Sequence, residues 1–173
     1  EVGANFFDNV SNEQSAAPRT LIIHEVMGRH CGWLTAATAR AYMQKTRTHD
    51  YVEGFMMDEQ LKKIDGIYLP EMRFDRDAEA TRLKDVMDRY GFVTLFISEG
   101  ACMDVIVKEL EASGENIKRD AFGHVKLDTI NVGGWFQKQF ASLLGAERSL
   151  VQKSGYFARS APANGDDLRL IQG

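Results

Sequence analysis

A strand that runs into a helix through a glycine-rich turn, at Thr20–Arg40, is the feature that most constrains the fold of this chain. Leu21–Val26 has the apolar and β-branched residues of a short, buried strand. Gly32–Arg40 is rich in Ala and has no internal glycine or proline, which predicts a helix. The chain therefore has to turn between them, at residues 27–32, where glycines stand at positions 28 and 32.

This turn at residues 27–32 is a candidate anion site. The first N–H groups of a helix have no partner within the helix, and the helix dipole favours negative charge beside them. Arg29 lies in the turn, and its planar guanidinium matches the oxygens of a phosphate or a carboxylate. Glycine-rich turns are weak signals by themselves, so a turn whose arginine is simply solvated is an equal alternative at this point.

Strands and helices alternate along the rest of the chain. Apolar runs predict the strands, and apolar residues at three- and four-residue steps predict the helices. This alternation predicts an α/β fold with an open, mainly parallel sheet and helices on both faces, in three layers. The further predicted strands are Gly66–Leu69, Phe92–Ile97 and Arg148–Gln152, and the helices are Asp77–Tyr90, Met103–Ala112 and Asp128–Leu144.

Two features at the start of the predicted helix Asp128–Leu144 need an explanation: the residue that caps it and its two glycines. Asp128 or Thr129 is predicted to cap it, because both side chains can accept hydrogen bonds from the first N–H groups. Gly133 and Gly134 each disfavour a helix by about 1 kcal/mol relative to Ala. Close packing of the helix on the sheet is the reason we expect for these glycines.

Polar residues follow the predicted strands, and the carboxyl ends of parallel strands are where such sheets bind ligands. Arg29, Tyr156 and Arg159 supply donors suited to phosphate. Glu71 supplies an acceptor suited to a hydroxyl, so together these residues match a sugar phosphate. Each residue also has a structural alternative. Arg159 could pair with an acid, Asp166 or Asp167, at the start of the next helix, and Glu71 could be a solvated acid at a strand end. The groups predicted to converge on one edge are Met27–Arg29, Glu71, Ser98–Glu99 and Tyr156–Arg159.

The composition excludes several classes of function. With 173 residues, 44% hydrophobic content and a net charge of −4, the chain has the make-up of a globular protein without the basic patch of a nucleic-acid binder. It has no apolar run of about 18 residues and no signal peptide. Cys31 and Cys102 are isolated thiols, which favours a reducing cytoplasm.

The four histidines lack the spacing of a structural zinc site, and no Gly-x-Ser-x-Gly nucleophile motif occurs. His24 lies within an apolar strand and is predicted to be a hydrogen-bonded core residue. His30, beside the glycine-rich turn, is the one histidine that merits a functional test.

Four segments in order resemble the phosphofructokinase family, in its pyrophosphate-dependent branch. The resemblance implies reversible transfer of a phosphoryl group from pyrophosphate to O1 of fructose 6-phosphate, with Mg²⁺, giving fructose 1,6-bisphosphate and phosphate in glycolysis and gluconeogenesis. The segments are MGRHCGWLTAATA at Met27–Ala39, LPEMRFD at Leu69–Asp75, ISEGA at Ile97–Ala101 and KSGYFARSAPANGDDLRLI at Lys153–Ile171.

The resemblance also implies which residues contact the sugar phosphate. They belong to the MGR, PE and GYFAR motifs, and Tyr156 stands where ATP-dependent relatives have histidine. Basic residues from a neighbouring subunit take part in such family sites, which makes Arg19, Arg148 and Lys153 secondary candidates. The implied substrate-binding residues are Met27, Gly28, Arg29, Glu71, Tyr156 and Arg159.

Two family motifs do not occur in the chain: the Gly-Gly-Asp donor loop and the Thr-Ile-Asp-x-Asp segment with the catalytic base and the Mg²⁺ contacts. In the family both precede the segment that starts at Glu1. We therefore expect residues 1–173 to be a single α/β domain, the fructose-6-phosphate-binding part of a longer enzyme. It would hold no catalytic or metal-binding residue and would be inactive alone. The family also implies a homo-oligomer, a dimer or a tetramer, with no nucleic-acid or membrane partner.

Two alternatives stay open at the level of sequence. An ATP-dependent 6-phosphofructokinase differs mainly in the donor segments, which are not in this chain. A non-catalytic, regulatory sugar-phosphate-binding subunit would share the substrate motifs and lack catalysis.

Overall fold

The computed structural model describes residues 1–12, 17–52, 59–114, 117–119, 126, 129–155, 157 and 160–162. Four parallel strands form one sheet within these ranges: β1 (Thr20–Val26), β2 (Gly66–Tyr68), β3 (Phe92–Ser98) and β4 (Arg148–Lys153). Their order across the sheet is β2-β3-β1-β4, so the two most buried strands, β1 and β3, are central. The predicted parallel sheet is confirmed.

Helices cover both faces of this sheet, as predicted. On one face Phe7, Tyr42 and Phe96 form an aromatic core beneath α1 and α2. On the other face Leu95 packs with residues of α3, α4 and α5 in a larger core. The helices are α1 (Val2–Ser11), α2 (Trp33–Thr46), α3 (Arg76–Tyr90), α4 (Met103–Ala112) and α5 (Val132–Leu144), with a short 3-10 helix at Glu59–Lys62. None of these helices, in the part of the chain that is described, is both long and apolar enough to cross a membrane.

The ends of α3 show how local sequence sets an element. The side chain of Asp75 accepts hydrogen bonds from the N–H groups of Asp77 and Ala78, which satisfies two of the unpaired donors of the first turn. Gly91 ends the helix in the left-handed conformation at φ +80°, which glycine adopts without strain. Both features fix where β3 begins, directly after Gly91.

The predicted start of α5 is wrong. The helix begins at Val132 and is capped by Asn131, whose side chain accepts a hydrogen bond from the N–H of Gly134 at 3.1 Å. Thr129 precedes the helix, and Asp128 lies outside the described residues. Asn is as good a cap as Asp or Thr, so propensity alone could not choose among three neighbouring candidates.

Close packing accounts for Gly133. A Cβ atom at this position would lie 2.6 Å from Cγ1 of Val151 on β4 and 2.4 Å from Oε2 of Glu25 on β1. The absence of a side chain lets the N-terminus of α5 approach the sheet, where the N–H of Gly133 donates to Glu25 at 2.9 Å. This contact offsets the low helix propensity of glycine.

His24 is buried as predicted, but its ring nitrogens have no hydrogen-bond partner among the described residues, so the prediction of a hydrogen-bonded histidine is wrong there. The ring instead packs against Phe7 and Phe96, with centroid distances of 4.2 and 4.7 Å. Burial lowers the pKa of His24 to about 3, because a charged imidazolium in this apolar core would be strongly desolvated. The residue is therefore a neutral core side chain.

Candidate functional site

The carboxyl ends of β1 and β3 lie side by side at the centre of the sheet. Val26 is the register partner of Ser98, and the N–H of Glu99 donates to the carbonyl of Val26 at 3.0 Å. The turn at residues 27–32 leaves β1 at this edge and leads into α2. The edge is the position where open parallel sheets bind ligands, as the sequence predicts.

The turn is built around backbone atoms at Gly28. This residue has φ +143°, a conformation that L side chains rarely adopt, and a Cβ here would lie 2.5 Å from the carbonyl oxygen of Cys31. The carbonyl oxygen of Gly28 accepts a hydrogen bond from the hydroxyl of Ser98, which is fully buried at the end of β3. The glycine of the MGR motif is therefore required by geometry.

The loop after β3 packs directly against the same turn. A Cβ at Gly100 would lie 1.8 Å from the carbonyl oxygen of Arg29, far inside van der Waals contact. Only glycine permits this approach of two backbones. The glycine of the ISEGA segment is thus required for the same reason as the glycine of the MGR motif, because a side chain at either position would clash with backbone atoms.

Glu71 reaches the other end of the turn. Both of its carboxylate oxygens accept the N–H of Gly32, at 2.9 and 3.2 Å. This hydrogen bond is the main cause that lowers the pKa of Glu71, and hydrogen bonds from its own backbone and from the thiol of Cys31 act in the same direction. Glu71 is thus an ionised, exposed carboxylate anchored at the start of α2.

Arg29 and Glu71 line one open cavity of about 340 Å³. This volume falls within the range of small-molecule sites, about 300–1,000 Å³. The structure therefore brings the Arg29 guanidinium and the Glu71 carboxylate to one cavity at the carboxyl edge of the sheet. The carboxylate of Asp104, in the first turn of α4, also faces this space and would repel a phosphate placed near α4. The full lining is Arg29, His30, Pro70, Glu71, Gly100, Met103 and Asp104.

The other predicted site residues are placed differently. Met27 and Gly28 are half-buried in the turn and do not line this cavity. Tyr156 and Arg159 lie outside the described residues, as do the two acids, Asp166 and Asp167, considered as partners of Arg159.

The secondary candidates lie at opposite ends of the strands. Lys153, at the carboxyl end of β4, pairs with Glu25 at 3.0 Å and donates to Asn131 at 3.1 Å. Arg19 precedes β1 at the opposite edge, where its guanidinium donates to the carbonyl of Gly145 at 2.6 Å and pairs with Asp88 at 3.0 Å. Arg19 therefore cannot reach the turn of its own chain, and neither can Arg148, which begins β4 at that same edge.

Sequence reasoning placed Ser98 and Glu99 at the strand end without assigning either a role. The structure shows Ser98 bound to the turn and Glu99 half-buried beside it. The carboxylate of Glu99 has no hydrogen bond or ion pair with any described residue, and Glu99 is not among the residues that line the cavity. The sequence signal that could have identified Glu99 is its position at the end of a predicted strand.

No group of three or more His, Cys, Asp or Glu side chains in the described ranges is arranged to hold a metal ion. Mg²⁺ requires oxygen ligands, usually one or two carboxylates together with substrate phosphates and water. This absence therefore concerns sites built from three or more such side chains, and a Mg²⁺ ion held by one or two carboxylates lies outside it.

Comparison with solved structures supports the fold. A pyrophosphate-dependent phosphofructokinase from Marinobacter aquaeolei matches with a TM-score of 0.55 and 20% identity, over 97% of this chain and 33% of that one. A phosphofructokinase from Pichia pastoris, in the T-state, matches with a TM-score of 0.52 and 16% identity, over 98% of this chain and 14% of that one. The chain shares their α/β fold.

Comparison with curated sequences is more specific, although no protein-family model matches the chain. The pyrophosphate–fructose 6-phosphate 1-phosphotransferase of Methylotuvimicrobium alcaliphilum is 51% identical over 172 residues, covering 99% of this chain. The enzymes of the same name from Mastigamoeba balamuthi and Propionibacterium freudenreichii are 51% identical over 100% and 98% of the chain. The chain spans 42% of the length of each of these relatives. With half of its residues identical along almost its whole length, the chain belongs to the family of the pyrophosphate-dependent phosphofructokinases.

Proposed function

We propose that residues 1–173 form a single domain that binds fructose 6-phosphate, within an enzyme that transfers a phosphoryl group reversibly from pyrophosphate to O1 of that sugar. The observation that carries the proposal is the placement of Arg29 and Glu71 in one cavity at the carboxyl edge of the sheet. The proposed reaction is the one for which relatives about half identical to the chain are named.

Arg29, together with Tyr156 and Arg159, would hold the phosphate of the sugar, while Met27 and Gly28 shape the turn that presents Arg29. A guanidinium binds a phosphate dianion with two parallel hydrogen bonds, so it fixes orientation as well as charge. In phosphoryl transfer the protein acts chiefly by positioning the reactants and by stabilising charge. Fixing the sugar at its phosphate end is how this part of the chain would contribute.

Glu71 would orient the sugar through its hydroxyl groups. A carboxylate offers about four lone-pair positions, and the N–H of Gly32 leaves some of them available. Glu99 is a second candidate for this role: it lies at the same edge, outside the lining of the cavity, and its carboxylate makes no hydrogen bond or ion pair to the described residues. The two acids can be separated by experiment.

The remainder of the enzyme would supply the donor site, the catalytic base and the ligands of Mg²⁺. When bound there, Mg²⁺ would neutralise the charge of the transferring phosphate. The chain alone is therefore expected to be inactive. The enzyme as a whole would be a cytoplasmic homo-oligomer, a dimer or a tetramer, acting in glycolysis and gluconeogenesis, with no nucleic-acid or membrane partner.

A chimeric enzyme tests this function. In it, residues 1–173 replace the segment of the Mastigamoeba balamuthi relative that aligns with them, at 51% identity over the whole of this chain. The chimera is expected to phosphorylate fructose 6-phosphate with pyrophosphate and Mg²⁺, and the 173-residue chain alone is expected to show no turnover. Because the donor segments of the chimera come from the relative, the assay tests the sugar-phosphate site of residues 1–173 and not the choice of donor. A chimera that folds and assembles but does not phosphorylate fructose 6-phosphate would contradict the proposed function.

A further inference from the structure

We propose that Ser98 is a positioning residue that holds the turn at residues 27–32 in its ligand-binding geometry; this inference deepens the proposed function and rests on it for the identity of the ligand. The hydroxyl of Ser98 donates to the carbonyl of Gly28, and the side chain is fully buried at the end of the central strand β3. No other hydrogen bond of this hydroxyl exists among the described residues. Within the described part of the chain, the polar contact of this side chain is thus made to the turn.

The turn needs an external constraint because of its own sequence. Glycine has more conformational freedom than any other residue type. Holding Gly28 at φ +143° in the folded turn therefore carries a large entropic cost. Two contacts across the sheet edge limit that freedom. One is the Ser98 hydroxyl, and the other is the backbone of Gly100, which packs against the carbonyl of Arg29.

Fixing the carbonyl of Gly28 also fixes the next N–H group. In a trans peptide the C=O and the N–H point in opposite directions, and all peptide bonds described are trans. When the Gly28 carbonyl points at Ser98, the N–H of Arg29 therefore points away from β3. That N–H donates to none of the described residues, so it is available to an anion beside the Arg29 guanidinium.

Ser98 thereby acts on the substrate through the turn and without touching it. Loss of its hydroxyl leaves Arg29 and Glu71 in the chain but frees the peptide between residues 28 and 29. The binding of the sugar phosphate should suffer, whereas the binding of the phosphoryl donor should not. A purely structural role would instead lower stability and affect both substrates alike.

Hydrogen exchange on the 173-residue chain tests the positioning itself. Gly32 is the last residue of the turn and its N–H donates to Glu71, outside the turn, so its exchange rate reports opening of the turn. In Ser98→Ala the exchange of Gly32 is expected to accelerate about tenfold, because removal of the constraint lets the turn open locally. Ser11→Ala is the control, since it removes an equally buried serine hydroxyl of α1, which bonds to Asp8 and Lys62 and not to the turn. Equal Gly32 exchange in wild type and Ser98→Ala would overturn the inference.

Kinetics of the chimera test the consequence for the substrate. Ser98→Ala is expected to raise KM for fructose 6-phosphate about tenfold, with KM for pyrophosphate unchanged, since a small misplacement of a binding group has effects of this size or larger. Ser98→Thr keeps the hydroxyl and should restore KM. Unchanged KM in Ser98→Ala, or KM values that rise for both substrates, would overturn the inference. An inactive wild-type chimera would refute the proposed function instead, and the exchange of Gly32 would still decide the role of Ser98.

Discussion

Substitution of Gly100 by alanine gives the sharpest prediction for the site. The new Cβ would stand 1.8 Å from the carbonyl oxygen of Arg29, and real Cβ atoms essentially never approach closer than 3.0 Å. The loop after β3 and the turn at residues 27–32 must therefore separate by at least 1.2 Å. Because the atom it meets is backbone, no side-chain rotation can relieve the clash.

A displacement of this size has two measurable consequences. Overpacking of a well-packed region costs about 1–3 kcal/mol of stability. A misplacement of about 1 Å in a positioning element can lower activity about 100-fold. In the chimera, Gly100→Ala is therefore expected to lower kcat/KM for fructose 6-phosphate by one to two orders of magnitude, while the apparent melting temperature falls by only a few degrees.

Gly114→Ala is the matched control for this experiment. Gly114 follows α4 with φ +76°, and a Cβ there meets nothing within 4 Å, so the variant carries backbone strain without a clash at the site. It should lose a similar amount of stability and keep kcat/KM near the wild-type value. Wild-type kcat/KM in Gly100→Ala, or an equal loss in Gly114→Ala, would refute the reasoning.

Two further predictions concern carboxylates. Burial raises the pKa of Asp65 to about 6 from 3.8, so its stabilising contribution is complete below about pH 4 and is lost as the pH rises through 6. Asp65→Asn should raise the free energy of unfolding at pH 8 by up to about 3 kcal/mol, and a urea titration at pH 4 should show no gain; an equal gain at both pH values would contradict this. In the chimera, Glu71→Gln should raise KM for fructose 6-phosphate and lower the melting temperature, because Glu71 also anchors α2, whereas Glu99→Gln should raise KM alone. An unchanged KM for fructose 6-phosphate in either variant would show that the substituted acid does not bind the sugar.

The fold could be predicted from the sequence because the pattern is locally consistent. Met103–Ala112 was predicted with the bounds of α4, and the strand Phe92–Ile97 lacks only the last residue of β3. The start of α5 could not be predicted, because several residues before Val132 are good caps and only tertiary contact selects Asn131. Tertiary contact also explains why His24 makes no hydrogen bond to the described residues, since its ring packs against Phe7 and Phe96.

The placement of Arg29 and Glu71 could be predicted from the sequence, whereas the contacts around them could not. Arg29 and Glu71 follow strands of a parallel sheet, so their convergence on one edge follows from topology. The bond from Ser98 to Gly28 depends on the register between β1 and β3, which the sequence does not reveal. Arg19 shows the opposite case: it precedes β1, so its place at the far edge could have been derived from strand direction.

The measurement that tests the central claim most directly is a calorimetric titration of fructose 6-phosphate into the chimera, in the absence of pyrophosphate. Wild type should bind the sugar phosphate, and Arg29→Ala should weaken binding at least about tenfold, the loss expected when a charge-assisted contact of about 1.5–3 kcal/mol is removed. Arg40→Ala is the control, because Arg40 is an exposed arginine on α2 away from the cavity. Equal affinity of wild type and Arg29→Ala for fructose 6-phosphate would contradict the account.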